Sequence, residues 1–230
     1  MSRGCFIPRR LVLFDLDHTL IPFDSGLAWL RFLVGHGVLA ADFPDYYLDC
    51  CRQYLRGTLA LRALHRVAMA PLARHRRASL NIWRAQFASR LATHVPPAAG
   101  ALVARQRAVG ALCCIVTTTN DFVAAPFAAH LGVEHLLAST AQLRGSRFTG
   151  EIAGPLCHGE GKIERVDAWL AGQGLNWADF AESVFYTDSA SDLPLLQRVG
   201  KAVAVRPDNA LRVQAERRGW TIVEELADAP

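Results

Sequence analysis

The chain has 230 residues, of which 51% are hydrophobic and 20% charged, and its formal net charge is +4. Such a length exceeds the roughly 150 residues of an average domain, which favours one large domain or a core with an insertion. The basic residues are spread rather than blocked, so composition gives no sign of nucleic-acid binding. No apolar run approaches the ~20 residues of a membrane span, and the N-terminal "MSRGCFIPRR" lacks the apolar core of a targeting signal. We expect a cytoplasmic protein.

The six cysteines include two adjacent pairs, Cys50 with Cys51 and Cys113 with Cys114, and show no C-x-x-C spacing. Neighbouring residues on a strand point to opposite faces, so Cys113 and Cys114 are poorly placed to share one metal. This pattern indicates small buried thiols in a reducing compartment.

The first predicted element is a strand at residues 11–14, "LVLF", because a short continuous apolar run is typical of a central parallel strand. Asp15 and Asp17 follow it directly. Two like charges at the rim of a sheet raise each other's pKa and repel, so a cationic partner is expected there.

The next stretch, from about residue 24 to 94, is helical in period. In "SGLAWLRFLVGHG", Leu27, Leu30 and Val34 share one predicted face, Asp24 or Ser25 can cap the start, and glycines close the end. We therefore predict a helical cap domain at residues 23–94, inserted into a discontinuous core of residues 1–22 and 95–230.

After Pro97 apolar strand runs alternate with helical pattern, which predicts βαβ units and a mostly parallel sheet. The runs are "ALCCIVTTT", "HLLAST", "SVFYTD", "AVAV" and "TIVEE". The segment "QLRGSRFTGEI", with Gly145 at its turn, predicts a small hairpin. The predicted fold class is α/β, a Rossmann-like, mostly parallel sheet with an inserted α-helical cap.

Polar side chains follow several of these predicted strands. Ligands bind outside the carboxyl ends of parallel strands, so these groups are expected to converge at one rim. They are Asp15 and Asp17, Thr117, Lys162 at the start of a predicted helix, and Asp188 with Asp192. Several carboxylates, one ammonium and a hydroxyl are the groups that hold Mg²⁺ and a phosphate together.

This set of groups predicts phosphoryl transfer. Asp15 and Asp188 suit Mg²⁺, which takes one or two protein carboxylates and keeps several waters. With charge neutralised by the metal and Lys162, Asp15 can attack phosphorus and form an aspartyl-phosphate. Asp17 is then placed to protonate the leaving alkoxide and later to activate water.

The motifs "FDLDHT", the threonine-ended strand, the isolated lysine and "TDSASD" resemble the four motifs of the haloacid dehalogenase superfamily, in that family's order. The helical insertion after the first motif resembles its phosphoserine-phosphatase-like branch. The resemblance implies a magnesium-dependent phosphatase with Asp15 as nucleophile and Asp17 as acid and base. It places Asp15, the carbonyl of Asp17, and Asp188 around the metal, supported by Asp192, with Thr117 and Lys162 on the phosphoryl group and Thr19 bracing the loop.

The sequence differs from that branch at positions that recognise the substrate. Asp24 stands near the position of a glutamate that reads an amino group, and Thr118, Thr119 and Asn120 replace glycines after Thr117. We predict a small phosphorylated metabolite as substrate, such as a phosphorylated amino acid or amino alcohol. Candidate substrate-binding residues are Asp24, Thr118, Asn120, and the helical pair Arg52 and Arg56.

Alternative interpretations stay open at this stage. Asp192 also suits the cap of the helix "DLPLLQRV", and Lys162 could be an ordinary surface lysine. A non-catalytic binding or regulatory module of the same fold is one rival function. A nucleic-acid phosphatase or binder that uses the basic run around Arg74–Arg77 and Arg84 is another, although a solvated helix face explains that run better.

Overall fold

The structure of the protein, a computed structural model, describes residues 10–230. The N-terminal segment that was searched for a targeting signal, together with Cys5, lies outside the described residues. Within residues 10–230, no helix combines the length and apolar character needed to cross a membrane.

The described residues form a seven-stranded sheet in the order β4-β3-β2-β1-β5-β6-β7. Neighbouring strands are parallel except for the antiparallel pair β3 and β4. The sheet therefore confirms the predicted α/β, mostly parallel architecture. The strands are β1 (Arg10–Phe14), β2 (Leu112–Asn120), β3 (His135–Arg144), β4 (Arg147–Ala153), β5 (Glu182–Thr187), β6 (Lys201–Val205) and β7 (Thr221–Val223).

Helices connect the strands, and five of them lie between β1 and β2; the first four fall in residues 23–94, where the sequence predicts the helical insertion. The helices are α1 (Ser25–Gly35), α2 (Phe43–Leu55), α3 (Leu61–Arg74), α4 (Arg77–Ala88), α5 (Pro97–Ala108), α6 (Asp121–His130), α7 (Glu160–Gly172), α8 (Leu193–Arg198) and α9 (Asn209–Arg218). Asp24 caps α1 by accepting a hydrogen bond from the Leu27 backbone N–H.

The sheet is covered on both faces, as the apolar strand runs predict. Cys113 belongs to the core on one face and Cys114 to the core on the other, in agreement with the strand alternation. Both are free thiols, and so are the three other cysteines within the described residues.

The predicted cap is not uniformly separate from the sheet. Trp29 and Phe32 of α1 and Phe87 of α4 pack with Phe122 and Phe127 in the main core. A second, smaller cluster joins α1, α2 and α3. The division at residues 23 and 94 stays a prediction.

The predicted hairpin is present as β3 and β4, and α3 packs against its second strand. Gly145 at the turn has φ of 60°, a conformation that favours glycine. Arg62 donates to the carbonyls of Ile152 and Gly154, and Arg66 pairs with Glu151. The hairpin thus supports the inserted helices from the side of the sheet.

Part of the basic run is used in packing. The guanidinium of Arg84 lies 4.6 Å from the centre of the Phe122 ring, and that of Arg77 lies 5.5 Å from the centre of the Phe148 ring. These cation–π contacts hold α4 against the sheet side of the molecule. Arg84 is partly buried by its contact, whereas Arg77 stays exposed.

Candidate active site

The carboxyl ends of β1, β2 and β5 open into a cavity of about 820 Å³ beneath α1, α2 and α3. The central position of β1 between β2 and β5 brings their polar termini together. The predicted catalytic and metal-binding residues all line this cavity: Asp15, Asp17, Thr117, Lys162, Asp188 and Asp192.

Lys162 is buried in the floor of the cavity, which excludes an ordinary surface lysine. Its Nζ donates to Asp15 Oδ1 at 2.8 Å and to Asp192 Oδ2 at 2.6 Å. Burial alone would lower the pKa of this ammonium, but the carboxylates of Asp15 and Asp192 raise it above its ordinary value. Lys162 is therefore a permanent cation between two carboxylates.

Gly161 allows Lys162 to reach this position in the first turn of α7. A Cβ atom at residue 161 would lie 2.1 Å from the carbonyl oxygen of Leu156. Only glycine permits this close approach of the α7 start to the preceding loop.

Asp192 precedes α8, but its side chain makes no capping hydrogen bond there. Its Oδ2 instead accepts from Lys162 and from the Thr187 hydroxyl, the latter at 2.7 Å. The sequence left two roles open for Asp192, support of the metal and the cap of α8; the side chain does not cap α8, and its support of the metal stays a prediction.

Thr19 joins the two carboxylates that the sequence assigns to the metal. Its hydroxyl lies 3.3 Å from Asp15 Oδ2 and 3.2 Å from Asp188 Oδ1. Burial raises the pKa of Asp15 to about 8, opposed by Lys162, and burial raises the pKa of Asp188 to about 6. Both carboxylates would be stabilised by a further cation at this point.

The donor set fits magnesium. Carboxylate and carbonyl oxygens are the ligands that this hard ion prefers, and it needs few of them from the protein. Within residues 10–230, no group of three or more His, Cys, Asp or Glu side chains is arranged to enclose a metal without other ligands. Asp15 and Asp188 could hold the ion with backbone oxygen, water and a phosphate oxygen.

Asp17 is held beside the start of α1. Its Oδ1 accepts from the backbone N–H of Ser25 and its Oδ2 from the hydroxyl of Thr119, both at 2.6 Å. Each of these oxygens keeps a second lone pair that is available for proton transfer. Thr119 was not predicted as a site residue, although the third threonine of "TTT" was a visible candidate.

The residues after Thr117 have clear structural contacts. The Thr117 hydroxyl accepts from the backbone N–H of Thr119, and Thr118 donates to the carbonyl of Cys157 at 3.0 Å. Asn120 caps α6 by accepting from Val123. Thr118 and Asn120 line the cavity, so their predicted substrate contacts stay predictions.

Asp24 lies in the cavity wall at the base of α1. Tyr47 of α2 donates its hydroxyl to Asp24 Oδ2 at 3.2 Å. Burial, followed by the nearby charge of Asp17, raises the pKa of Asp24 to about 6. A Cβ at Gly26 would lie 3.1 Å from Asp24 Oδ1 and 3.2 Å from the Tyr47 hydroxyl, so glycine there leaves room for this pair.

Arg52 and Arg56 do not line the cavity, so the structure gives no support to their predicted role in substrate binding. Arg52 is exposed and pairs with Asp49 on its own helix, and Arg56 is exposed just beyond the end of α2. The α2 side chains that line the cavity include Tyr47, Cys51 and Tyr54.

Other site residues were not predicted at all. His65 of α3 and His158 before α7 line the cavity. Arg206 donates to the carbonyls of His18 and Thr19, and Asp208 accepts from Ala190 N–H. No sequence motif marks these residues, because they are brought to the site by the packing of α3 and by the loop after β6.

A family model for haloacid dehalogenase-like hydrolases matches residues 12–197 of the chain. A histidinol-phosphatase of Neisseria meningitidis is 33% identical over 218 residues, which cover 94% of this chain and 98% of that protein. A phosphoserine phosphatase of Mycobacterium tuberculosis is 38% identical over 108 residues, 47% of this chain and 34% of that protein.

Solved structures agree in fold. A Bordetella pertussis protein of unknown function is 40% identical, with a TM-score of 0.88, covering 95% of this chain and 99% of its own. A substrate-bound phosphoserine phosphatase has a TM-score of 0.67 at 16% identity, covering 94% and 93%, and supports the fold alone.

The fold and site define a hydrolase of the α/β class with its polar groups at the strand ends. The chain belongs to the haloacid dehalogenase-like hydrolase family. It is an enzyme, and its activity is that of a phosphatase.

Proposed function

We propose that the protein is a magnesium-dependent phosphomonoesterase that works through an aspartyl-phosphate on Asp15. The observation that carries this proposal is the buried ion pair of Lys162 with Asp15, joined through Thr19 to Asp188. A nucleophilic carboxylate beside a fixed ammonium and a second carboxylate suits attack on an anionic phosphate ester.

The residues that would hold Mg²⁺ are Asp15, Asp188 and the backbone carbonyl of Asp17. The ion would supply positive charge against the phosphate oxygens and so reduce their repulsion of Asp15. Lys162 would bind a phosphoryl oxygen, and Asp192 with Thr187 would hold Lys162 in place.

The reaction would proceed in two steps on this chain's own groups. A carboxylate oxygen of Asp15 forms a bond to phosphorus, the bond from phosphorus to the ester oxygen breaks, and Asp17 protonates the leaving alkoxide. Water then attacks the phosphorus of the aspartyl-phosphate while Asp17 takes a proton from it. Inorganic phosphate leaves and the Asp15 carboxylate is restored.

We further propose that the substrate is a phosphorylated amino alcohol, with L-histidinol phosphate as the leading candidate. A relative that is 33% identical and matches nearly the full length of both chains is a histidinol-phosphatase. Histidinol phosphate and phosphoserine share a phosphate, a methylene and a carbon that bears an amine. They differ in the third group, which is an imidazolylmethyl in the first and a carboxylate in the second.

The charges of the cavity favour the amino alcohol. Among the described residues that line it, Lys162 is the only lysine or arginine. Its ammonium already forms ion pairs with the carboxylates of Asp15 and Asp192. A substrate carboxylate would thus enter the cavity without a cationic partner, which is costly to the extent that the charge loses its contact with water. The substrate amine, by contrast, would pair with the carboxylate of Asp24.

The cytoplasmic location predicted from the sequence is part of the proposal. The free cysteines among residues 10–230 support it, because free thiols persist in reducing compartments. A nucleic-acid substrate is less well supported, because Arg77 and Arg84 of the basic run lie on aromatic rings.

A substrate panel at fixed magnesium concentration tests this proposal. We expect kcat/KM to be highest for L-histidinol phosphate, and at least about tenfold lower for O-phosphoserine, since an unpaired buried charge costs well over ~1.4 kcal/mol. Nucleoside monophosphates and 5′-phosphorylated oligonucleotides serve as comparisons. A preference for phosphoserine would contradict the substrate assignment, and a preference for the oligonucleotides would favour the nucleic-acid alternative.

Asp24→Asn tests the amine contact while keeping the helix cap, because asparagine is also a good N-cap residue. The probe pair is histidinol phosphate and 3-(imidazol-4-yl)propyl phosphate, which lacks only the amine. We expect the wild-type kcat/KM ratio to rise with pH through about 6 as Asp24 ionises, and the variant ratio to stay low without this rise. The ammonium of histidinol phosphate also lowers the pKa of its own imidazole and phosphate, but the variant shares this effect, so dividing the wild-type ratio by the variant ratio removes it. If Asp24→Asn keeps the wild-type ratio of the two esters, a residue other than Asp24 recognises the amine.

A further inference from the structure

His65 is a buried polar side chain of the cavity wall, and its ring has hydrogen-bonding capacity that the described residues do not use. It lies on α3, is 7% exposed, and lines the same cavity as Asp15. Among the residues that the structure describes, its Nε2 finds no hydrogen-bond partner. A buried polar atom left unpaired costs about 1–3 kcal/mol, so an occupant that pairs with it would be favoured.

His158, another histidine of the cavity, differs from His65 in its hydrogen bonds. His158 Nε2 lies 3.2 Å from the Tyr54 hydroxyl, and its Nδ1 lies 3.4 Å from the Thr118 hydroxyl. Both nitrogens of His158 therefore have partners within the protein. Of these two buried or half-buried histidines, His65 is the one that has hydrogen-bonding capacity left for a ligand.

The surroundings of His65 keep it uncharged. Burial, followed by the charges of His158 and Arg62, lowers the pKa of His65 to about 4. Its cavity neighbours on α3 are apolar, namely Leu61, Leu64 and Ala68. A neutral imidazole in such a wall suits a neutral ligand group that can donate or accept one hydrogen bond, and it supplies no positive charge to balance a carboxylate.

We propose that His65 is a specificity-determining residue that hydrogen-bonds a ring nitrogen of the leaving group, so that the enzyme selects a neutral nitrogen heterocycle. This proposal rests on the proposed function and deepens it. Asp24 then binds the amine of the substrate, and His65 forms a hydrogen bond with its ring. The apolar wall around His65 covers the carbon edge of the same ring.

The test compares two esters of nearly the same shape. Phenylalaninol phosphate carries the amine and a flat ring but no ring nitrogen, whereas histidinol phosphate carries both. We expect the wild type to prefer histidinol phosphate about tenfold in kcat/KM, the worth of about one hydrogen bond in a desolvated site. In His65→Leu this ratio should fall to within about threefold of unity, because leucine fills the volume without a donor or acceptor.

Two further variants separate recognition from folding. His65→Gln places an amide near the position of Nε2 and should keep part of the preference. His36→Leu replaces an exposed histidine of the cap that does not line the cavity, and should keep all of it. Circular dichroism spectra check that each variant is folded.

The outcomes distinguish this proposal from the proposed function. A wild type that prefers histidinol phosphate to phosphoserine but accepts phenylalaninol phosphate equally well overturns the role of His65 alone. The same holds if His65→Leu and His65→Gln slow both ring esters in equal proportion, which indicates a structural role. A wild type that prefers phosphoserine overturns the substrate assignment and this proposal together.

Discussion

Asp15→Asn is expected to abolish phosphatase activity on every ester, including p-nitrophenyl phosphate, while leaving the fold intact. The amide cannot form the covalent intermediate, and enzymes that lose their nucleophile typically fall by about four to six orders of magnitude in kcat. Uncatalysed hydrolysis of phosphate monoesters is slow enough to leave no background.

The contacts of Asp15 explain why the fold should survive. The amide oxygen of asparagine can still accept from Lys162, which also keeps its hydrogen bond to Asp192. We expect the melting temperature to change by less than about 5 °C, equivalent to ~1–2 kcal/mol for a chain of this size. Circular dichroism melts and initial rates measure the two effects on the same preparations.

Asp49→Asn is the matched control for Asp15→Asn. It removes the same charge from an exposed aspartate that pairs with Arg52 outside the cavity. Its activity should stay within about twofold of the wild type, since exposed ion pairs contribute little. Activity in Asp15→Asn above about one per cent of the wild type, well beyond the loss expected of a missing nucleophile, would place the nucleophile elsewhere.

The catalytic end of the site could be predicted from sequence because strand geometry determines it. An apolar run followed at once by a carboxylate, as at Asp15 and Asp188, identifies the end of a buried strand. In a parallel sheet those ends lie at one rim. The motif order then gave Lys162, whose position depends on a helix start rather than on a strand, so its burial between Asp15 and Asp192 could be seen only in the structure.

The cap was harder to predict, because helical period gives relative positions on a helix but not the rotation of that helix. On α2 the spacing of Tyr47, Cys51 and Tyr54 follows one face, and that face lines the cavity. Arg52 and Arg56 share a neighbouring face that is exposed. Both faces were compatible with the sequence, and only packing against α1 and α3 selects between them.

Helix α1 shows the same difficulty in its core contacts. The predicted apolar face was Leu27, Leu30 and Val34, but Leu27 and Val34 are only partly buried. Trp29 packs toward the sheet while Leu30 packs toward α2 and α3. A helix that lies between two apolar clusters has no single apolar face, so its periodicity is a poor guide to its orientation.

Asp17→Asn is expected to trap the enzyme as a phosphorylated protein. Asparagine can keep the hydrogen bond from the Ser25 backbone N–H through its side-chain oxygen, so the geometry at the start of α1 should change little. What it loses is the ability to give and take a proton. Both steps then slow, but the first slows least for p-nitrophenyl phosphate, whose leaving group needs little protonation.

Intact-protein mass spectrometry after rapid acid quench measures this effect. With p-nitrophenyl phosphate we expect the Asp17→Asn protein to gain the mass of one phosphoryl group, while kcat falls about 10²–10⁴-fold, the usual contribution of a general acid or base. The double variant Asp15→Asn with Asp17→Asn should gain no such mass, which assigns the phosphoryl group to Asp15.

The leaving group provides the second measurement. An aliphatic ester such as histidinol phosphate needs protonation as its bond to phosphorus breaks, so Asp17→Asn should slow it far more than p-nitrophenyl phosphate. Thr119→Val removes the other hydrogen bond to Asp17 and should shift the same ratio in the same direction by a smaller amount. If Asp17→Asn neither accumulates phosphoenzyme nor changes the ratio between the two esters, another group carries the proton, and the hydrogen bonds from Ser25 and Thr119 serve only to hold the loop.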